Sequence, residues 1–289
     1  MPFKRPEYLV ETSWLADHLE DPAVRVLECT VFLYPKPTAG VRAESGRAAW
    51  AQGHIPGSGF ADLTTDLCDQ SARLLYMMPP VAAFAEAMSR LGVGNGVQAV
   101  LYDRDHNMWA ARVWWMLRAA GFDDAAVLNG GWKKWMAEGR PISTDLGDRP
   151  PCRLVPHPRP GLFVGKEDVR AAIGDGRICL LNALTDEQYR GTGGVQYGRP
   201  GRIPSSMNLP ARAIVDSSTH AYLPPDTLRA RFAAVGATDA GRVITYCGGG
   251  IAASSDAFAL TLLGHDNVAV YDASLAEWAQ DPTLPMETG

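Results

Sequence analysis

At 289 residues the chain exceeds one domain of ordinary size, so two domains are expected, and its 46% hydrophobic and 20% charged residues suit a globular fold with a substantial core. A net charge of −5 supplies no basic surface for nucleic acid or an anionic membrane, no apolar run approaches membrane-spanning length, and residues 1–10 lack the apolar core of a secretory signal. The five cysteines (Cys29, Cys68, Cys152, Cys179, Cys247) are scattered without a C-x-x-C pair, which argues against a disulfide framework or a zinc knuckle and for a reducing, cytoplasmic setting. The histidines show no ligand spacing, so no metal site is expected.

In chain order, residues 11–19 show a helical apolar pattern, with Thr12 or Ser13 as the expected N-cap, and 24–27 reads as a strand. After a polar stretch come a helical pattern at 48–52 and the turn Gly53-His54-Ile55-Pro56-Gly57. A helix over 78–91 has prolines suited to its first turn and Gly92 at its end. Strand 99–102, helix 108–120, strand 125–128 and helix 130–138 complete the half. Residues 141–162, proline-rich and without periodicity, read as a linker.

Beyond the linker the same order recurs: helix 165–173, strand 178–181, the turn Gly201-Arg202-Ile203-Pro204, helix 225–235, strand 243–246, helix 252–263, strand 268–271 and a helix around Glu277-Trp278. Alternating helices and short apolar strands imply two similar α/β domains over 7–140 and 163–289, each a mainly parallel sheet flanked by helices on both faces. The halves differ where chemistry would sit. Cys247 ends the strand of the second half, while Asp103 holds that position in the first, so only the C-terminal domain carries the nucleophile. After Cys247, Gly248, Gly249 and Gly250 can turn successive N–H groups onto one point, and the helix that follows adds the positive end of its dipole. Hydrogen bonding to the anion favours a thiolate there.

Gly53-His54-Ile55-Pro56-Gly57, Arg112-Val113-Trp114-Trp115, Leu128-Asn129-Gly130-Gly131, the Cys247 loop and Glu277-Trp278, in that order, resemble the tandem-domain rhodanese-like sulfurtransferases. The resemblance covers nearly the whole chain. It implies that Cys247 accepts a sulfane sulfur from a small donor, forming a persulfide that cyanide, a thiol or thioredoxin attacks. It places Gly248, Gly249, Gly250, Ile251, Ala252 and Ala253 as the anion-holding loop, and it implies no cofactor. The uncharged loop favours 3-mercaptopyruvate over thiosulfate, although the serine such enzymes offer at position 249 is missing.

Family arginines that grip the donor's anionic group have no match at Gln188, which leaves Arg190, Arg199 and Arg202 to supply bidentate contacts or to stand as solvated surface charges. His54 stands open between a proton carrier and a structural residue of its turn. Trp109 is a candidate pocket wall, while Trp114 and Trp115 read as core. A cysteine phosphatase would need an arginine where Ala253 and Ser254 stand. A persulfide carrier or binding module acting with a protein partner is the second reading.

Overall fold

The computed structural model describes residues 2–36, 40–146 and 150–289. Its two halves build the same sheet. In the first the spatial order is Gly59–Phe60, Val24–Glu28, Gln98–Tyr102, Ala125–Leu128 and Leu9–Val10; in the second it is Met207–Asn208, Ile178–Asn182, Arg242–Tyr246, Val268–Tyr271 and Phe163–Val164. Every pairing in both sheets is parallel. The central strands are almost wholly apolar because helices cover both their faces.

The repeat extends to single side chains. Tyr102 Oη accepts the Ile55 N–H at 3.3 Å and meets Ser58 Oγ at 3.1 Å; Tyr246 Oη accepts the Ile203 N–H at 3.2 Å and meets Ser206 Oγ at 2.7 Å. The Trp135 indole donates to Pro141 and the Trp278 indole to Pro285, each closing the chain after the last helix of its half.

The halves are fused through their middle. Val24, Val26, Val100 and Tyr102 face one outer apolar cluster, and Leu180, Ile244, Tyr246 and Tyr271 face another. The opposite faces of both sheets contribute to one continuous cluster, in which the helices Met108–Ala119 and Ile251–Leu262 pack on each other. Trp114 meets Phe258 edge-on there, with centroids 4.8 Å apart and planes at 81°. Trp115 donates to Leu162 O from the same helix.

Several expectations shift. Glu11, not Thr12 or Ser13, precedes the first helix, and the Thr12 hydroxyl donates to Glu138. The polar stretch holds an antiparallel hairpin, Val31–Pro35 with Val41–Ser45, of which only the second strand alternates in burial. A short helix, Asp186–Arg190, also escaped the apolar pattern, although Thr185 and Gln188 form the capping box that marks its start. Of the linker, residues 147–149 lie outside the described residues. Much of the remainder is stapled to the first half, through Cys152 N to Ser89 O, His157 N to Ala120 O and Arg159 N to Ala119 O. No helix among the described residues is long and apolar enough to cross a membrane.

Asp256 is fully buried in the middle of the helix Ile251–Leu262, and neither carboxyl oxygen has a hydrogen-bond partner among the described residues. Burial pushes this carboxyl well above the ordinary aspartate range. The folded chain therefore holds that proton more tightly than the unfolded chain, so stability is greatest below the ordinary aspartate pKa and declines as pH rises above it. Each pKa unit of the rise costs about 1.4 kcal/mol once the pH has passed the folded value. Replacing Asp256 with Asn should raise the melting temperature at neutral pH by several degrees and flatten the decline. Melting curves collected from pH 4 to 8 check this; parallel curves for the two proteins would contradict it.

Candidate active site

Cys247 follows the central strand of the C-terminal sheet and stands 2% exposed at the floor of a cavity of about 550 Å³. Its N–H donates to Ser274 Oγ at 3.0 Å, its carbonyl accepts the Leu275 N–H at 3.0 Å, and the Gly248 carbonyl accepts the Ala276 N–H at 2.9 Å. The loop is thus pinned from its outer side by the start of the helix Ser274–Trp278. On its inner side the N–H groups of Gly248, Gly249 and Gly250 have no hydrogen-bond partner among the described residues. The first-turn N–H groups of Ile251, Ala252 and Ala253 add to them, because a helix start leaves its first donors unpaired.

The N-terminal half shows what such a loop holds. It too runs from central strand to helix, and its last residue, Asn107, takes the left-handed conformation (φ 60°) that Gly250 takes in the other half (φ 78°). Asp103 turns its own carboxylate into the loop. Oδ1 accepts the N–H groups of Asp105 and Asn107, at 2.8 and 3.1 Å, and Oδ2 those of Trp109 and Ala110, at 2.8 and 2.9 Å. Counted from the helix start, Asn107, Trp109 and Ala110 match Gly250, Ala252 and Ala253. The first half fills its loop with the Asp103 carboxyl, which burial pushes up to about 7, where the second half leaves the matching donors without a partner among the described residues.

Ser274 sharpens the comparison. Its φ of 51° belongs to the left-handed region, and its counterpart Gly131 has φ 49°. The first half uses glycine there; the second keeps a serine at a conformational cost because its hydroxyl links Cys247 N to Tyr271 O. Sequence reading missed this residue, since a positive φ leaves no mark on a serine. Changing Ser274 to Gly should lower sulfur-transfer activity about tenfold while leaving the melting temperature unchanged or raised, because relief of strain offsets the lost hydrogen bond. An unaltered turnover number would remove Ser274 from the support of Cys247.

The other half reaches the loop from behind. Arg112, fully buried in the helix Met108–Ala119, pairs through Nη2 with Asp272 Oδ1 at 2.6 Å and donates to the Tyr76 carbonyl at 2.7 Å. Asp272 Oδ2 accepts the Met78 N–H at 2.9 Å. A Cβ on Gly250 would stand 2.7 Å from Asp272 O and 3.1 Å from Arg112 Nη1, so only glycine fits between loop and ion pair. Arg112→Met leaves a buried carboxylate uncompensated and should cost about 3–5 kcal/mol. Arg112→Met/Asp272→Asn should recover part of that loss, and urea unfolding of the single and double variants measures the coupling.

None of the four residues expected to bind substrate lines the cavity. His54 is fully buried, stacked on Trp50, with its ring nitrogens 2.8 Å from Trp50 O and 3.0 Å from Asp145 O. Arg202, its counterpart in the repeat, contacts Gly289 O at 2.6 Å and Glu287 at 3.5 Å. Isolated bridges, His54 with Ser143 and Arg202 with Glu287, give both the same task of tying down the tail of their half. Arg199 donates to the carbonyls of Trp278, Ala279, Asp281 and Leu284, and Arg190 is exposed outside the cavity. The side chains were diverted to backbone carbonyls that only the folded chain brings near. Gln188 does line the cavity, but its amide donates to Val195 O at 2.8 Å.

The cavity walls come from both halves. Trp109, Met108, Leu74 and Tyr76 face Leu184, Tyr197 and Ile251, and the hairpin adds Leu33 and Val41. Cations appear among the exposed lining residues: Lys36, Arg73 and Arg212, the last 3.8 Å from Asp105. Sequence reading passed over these three, whose only signal was charge without a motif.

A profile of the rhodanese-like domain matches residues 11–138 and again 166–281. The chain belongs to the rhodanese-like family. It is 33% identical to a sulfur carrier protein, TtuD, of Thermus thermophilus, over 100% of this chain and 99% of that one. It is 30% identical to a thiosulfate sulfurtransferase of Bos taurus, over 93% and 91% of the two chains. The crystal structure of SseA from Escherichia coli, described as showing the rhodanese fold of 3-mercaptopyruvate sulfotransferases, superposes with a TM-score of 0.81 at 27% identity, covering 92% of this chain and 98% of SseA. Rhodanese-like domains thus account for both halves, and the activity is that of a sulfurtransferase.

Proposed function

We propose that Cys247 carries a sulfane sulfur, as a persulfide, from a small anionic donor to a thiophilic acceptor such as cyanide or a thiol. The observation that supports this most strongly is the pair of loops: one is filled by the Asp103 carboxylate, and the other offers the free N–H groups of Gly248, Gly249 and Gly250 beside a nucleophilic sulfur. In loading, the Cys247 thiolate attacks the donor's sulfur, and the donor's bond to that sulfur breaks with its electron pair leaving on the remnant. Thiolate and persulfide are both anions, and the convergent N–H groups stabilise each without a neighbouring base.

The donor reading favours 3-mercaptopyruvate over thiosulfate. No cation stands directly after Cys247 to meet a compact dianion, and the positive charges of Lys36, Arg73 and Arg212 belong to exposed side chains. A persulfide carrier that hands sulfur to a protein partner is the second reading. It is favoured by the diversion of Arg199 and Arg202 to backbone carbonyls, which leaves the exposed Lys36, Arg73 and Arg212 as the cations among the described lining residues.

Intact mass measured after each donor, with thiocyanate formation followed in parallel, tests both readings. One sulfur should be added to the wild type and none to Cys247→Ser, whose melting temperature should stay within a few degrees of the parent. Mercaptopyruvate should support turnover at least tenfold faster than thiosulfate, and Arg73→Ala should raise its KM severalfold. A clear thiosulfate preference would defeat the donor assignment. Sulfur loading without turnover would favour the carrier, and an active Cys247→Ser protein would overturn the site.

A further inference from the structure

Tyr197 belongs to the glycine-rich segment between the helix Asp186–Arg190 and the strand Met207–Asn208. Its ring lies against the backbone of Gly248, so a Cβ built there would collide with a ring carbon and with the hydroxyl. The tyrosine fills the space that a side chain following Cys247 would occupy. Its position is fixed, because Gln280 Nε2 donates to Tyr197 O at 2.7 Å and Arg199, two residues on, grips the carbonyls around the last helix. That is a use for Arg199 as a positioning residue.

Across the cavity, Tyr76 comes from the other half. It is 6% exposed, stands edge-on to Trp109 with centroids 5.3 Å apart, and has its carbonyl held by Arg112. Among the described residues neither the Tyr76 nor the Tyr197 hydroxyl has a hydrogen-bond partner, and both residues line the cavity with Cys247. The Tyr76 hydroxyl is buried, whereas Tyr197 is a half-buried residue of the cavity wall whose hydroxyl lies beside Gly248, where a ligand on Cys247 can complete it. Burial, then the charge of Cys247, holds the Tyr197 proton above the usual tyrosine range; burial, then Tyr197, does so for Tyr76. Both are therefore donors and not bases.

We propose that the Tyr197 hydroxyl, with Tyr76 packed behind it, donates a hydrogen bond to the terminal sulfur of the Cys247 persulfide, and that Tyr197, seated beside Gly248, replaces the loop side chain as the group that selects the donor. The inference rests on the persulfide reading above. Loading forms the S–S bond and releases sulfite from thiosulfate, or pyruvate from 3-mercaptopyruvate once the thiol proton has moved to the departing carbon. Handover breaks the S–S bond: cyanide or a thiolate takes the terminal sulfur, and the bonding pair returns to Cys247 as thiolate. No oxidant or reductant enters. Hydrogen bonds to the terminal sulfur withdraw its negative charge and ease approach of an anionic acceptor.

Wild type, Tyr197→Phe and Tyr76→Phe are loaded with donor, checked by intact mass, and mixed with cyanide in single turnover across pH. The expected result is full loading in all three. Handover from Tyr197→Phe should be about 10- to 100-fold slower, with a smaller loss for Tyr76→Phe. The apparent persulfide pKa should rise in both, with KM and melting temperature near those of the parent. Gly248→Arg should fail to fold or to load while Tyr197 stands. Tyr197→Ala/Gly248→Arg should load and shift the preference towards thiosulfate. Phenylalanine variants with the parental rate and pH profile would overturn the proposal, as would a Gly248→Arg protein that loads normally. If the wild type takes up no sulfur, the persulfide reading falls and carries this one with it. If it loads and Tyr197→Phe matches it, only the tyrosine assignment falls.

Discussion

The buried pair between Arg112 and Asp272 is the constraint on which the arrangement of the site depends. A guanidinium without solvent contact must be neutralised, and here its carboxylate belongs to the other half of the chain. The pair therefore fixes more than the distance between the helix of Arg112 and the turn after strand Val268–Tyr271 that carries Asp272. Through the Tyr76 carbonyl and the Met78 N–H it anchors the segment of the first half that walls the cavity. By crowding Gly250 it also sets the backbone that carries the N–H groups of the Cys247 loop. One charge pair registers the wall against the floor.

Duplication explains how that arrangement arises from ordinary parts. Each half supplies the same sheet, the same strand-to-helix loop and the same tyrosine–serine contact beneath it. The differences that matter sit at the two loops. The Asp103 carboxyl takes up the N–H donors of one loop from within. In the other half, Cys247 with Ser274 in a glycine's conformation keeps the loop open and its sulfur fixed. The shared apolar core then places the sulfur against the wall of the neighbouring half, so neither half alone makes the cavity.

The anion-binding logic differs from what the arginines of the second half suggested. Arg199 and Arg202 spend their donors on backbone carbonyls after the last helix, and His54 does for the first half what Arg202 does for the second. These are closing devices for chain ends, and they explain why the turns that hold His54 and Arg202 recur in both halves. Among the described residues the cavity interior is lined by apolar side chains, hydroxyls and backbone N–H groups, with the cations exposed and the Asp105 carboxylate half-buried in the wall. Such a setting suits a sulfur whose charge moves during reaction, because neutral donors stabilise it without trapping it.

The sequence by itself determined the class of fold and the duplication, and it marked Cys247 as the proposed nucleophile. Each of these is written locally: apolar runs of strand length, helical periodicity, and Cys247 followed by Gly248, Gly249 and Gly250. The capping box at Thr185 and Gln188 was also legible and was passed over. Only the tertiary structure decided the walls. Lys36, Arg73, Tyr76, Tyr197 and Ser274 lie far from Cys247 in sequence or carry no motif, and their roles follow from where long-range packing sets them. The same holds for the arginines that seemed free. A guanidinium goes to the acceptors it meets, and the carbonyls that claimed Arg199 come within reach only once the last helix has docked.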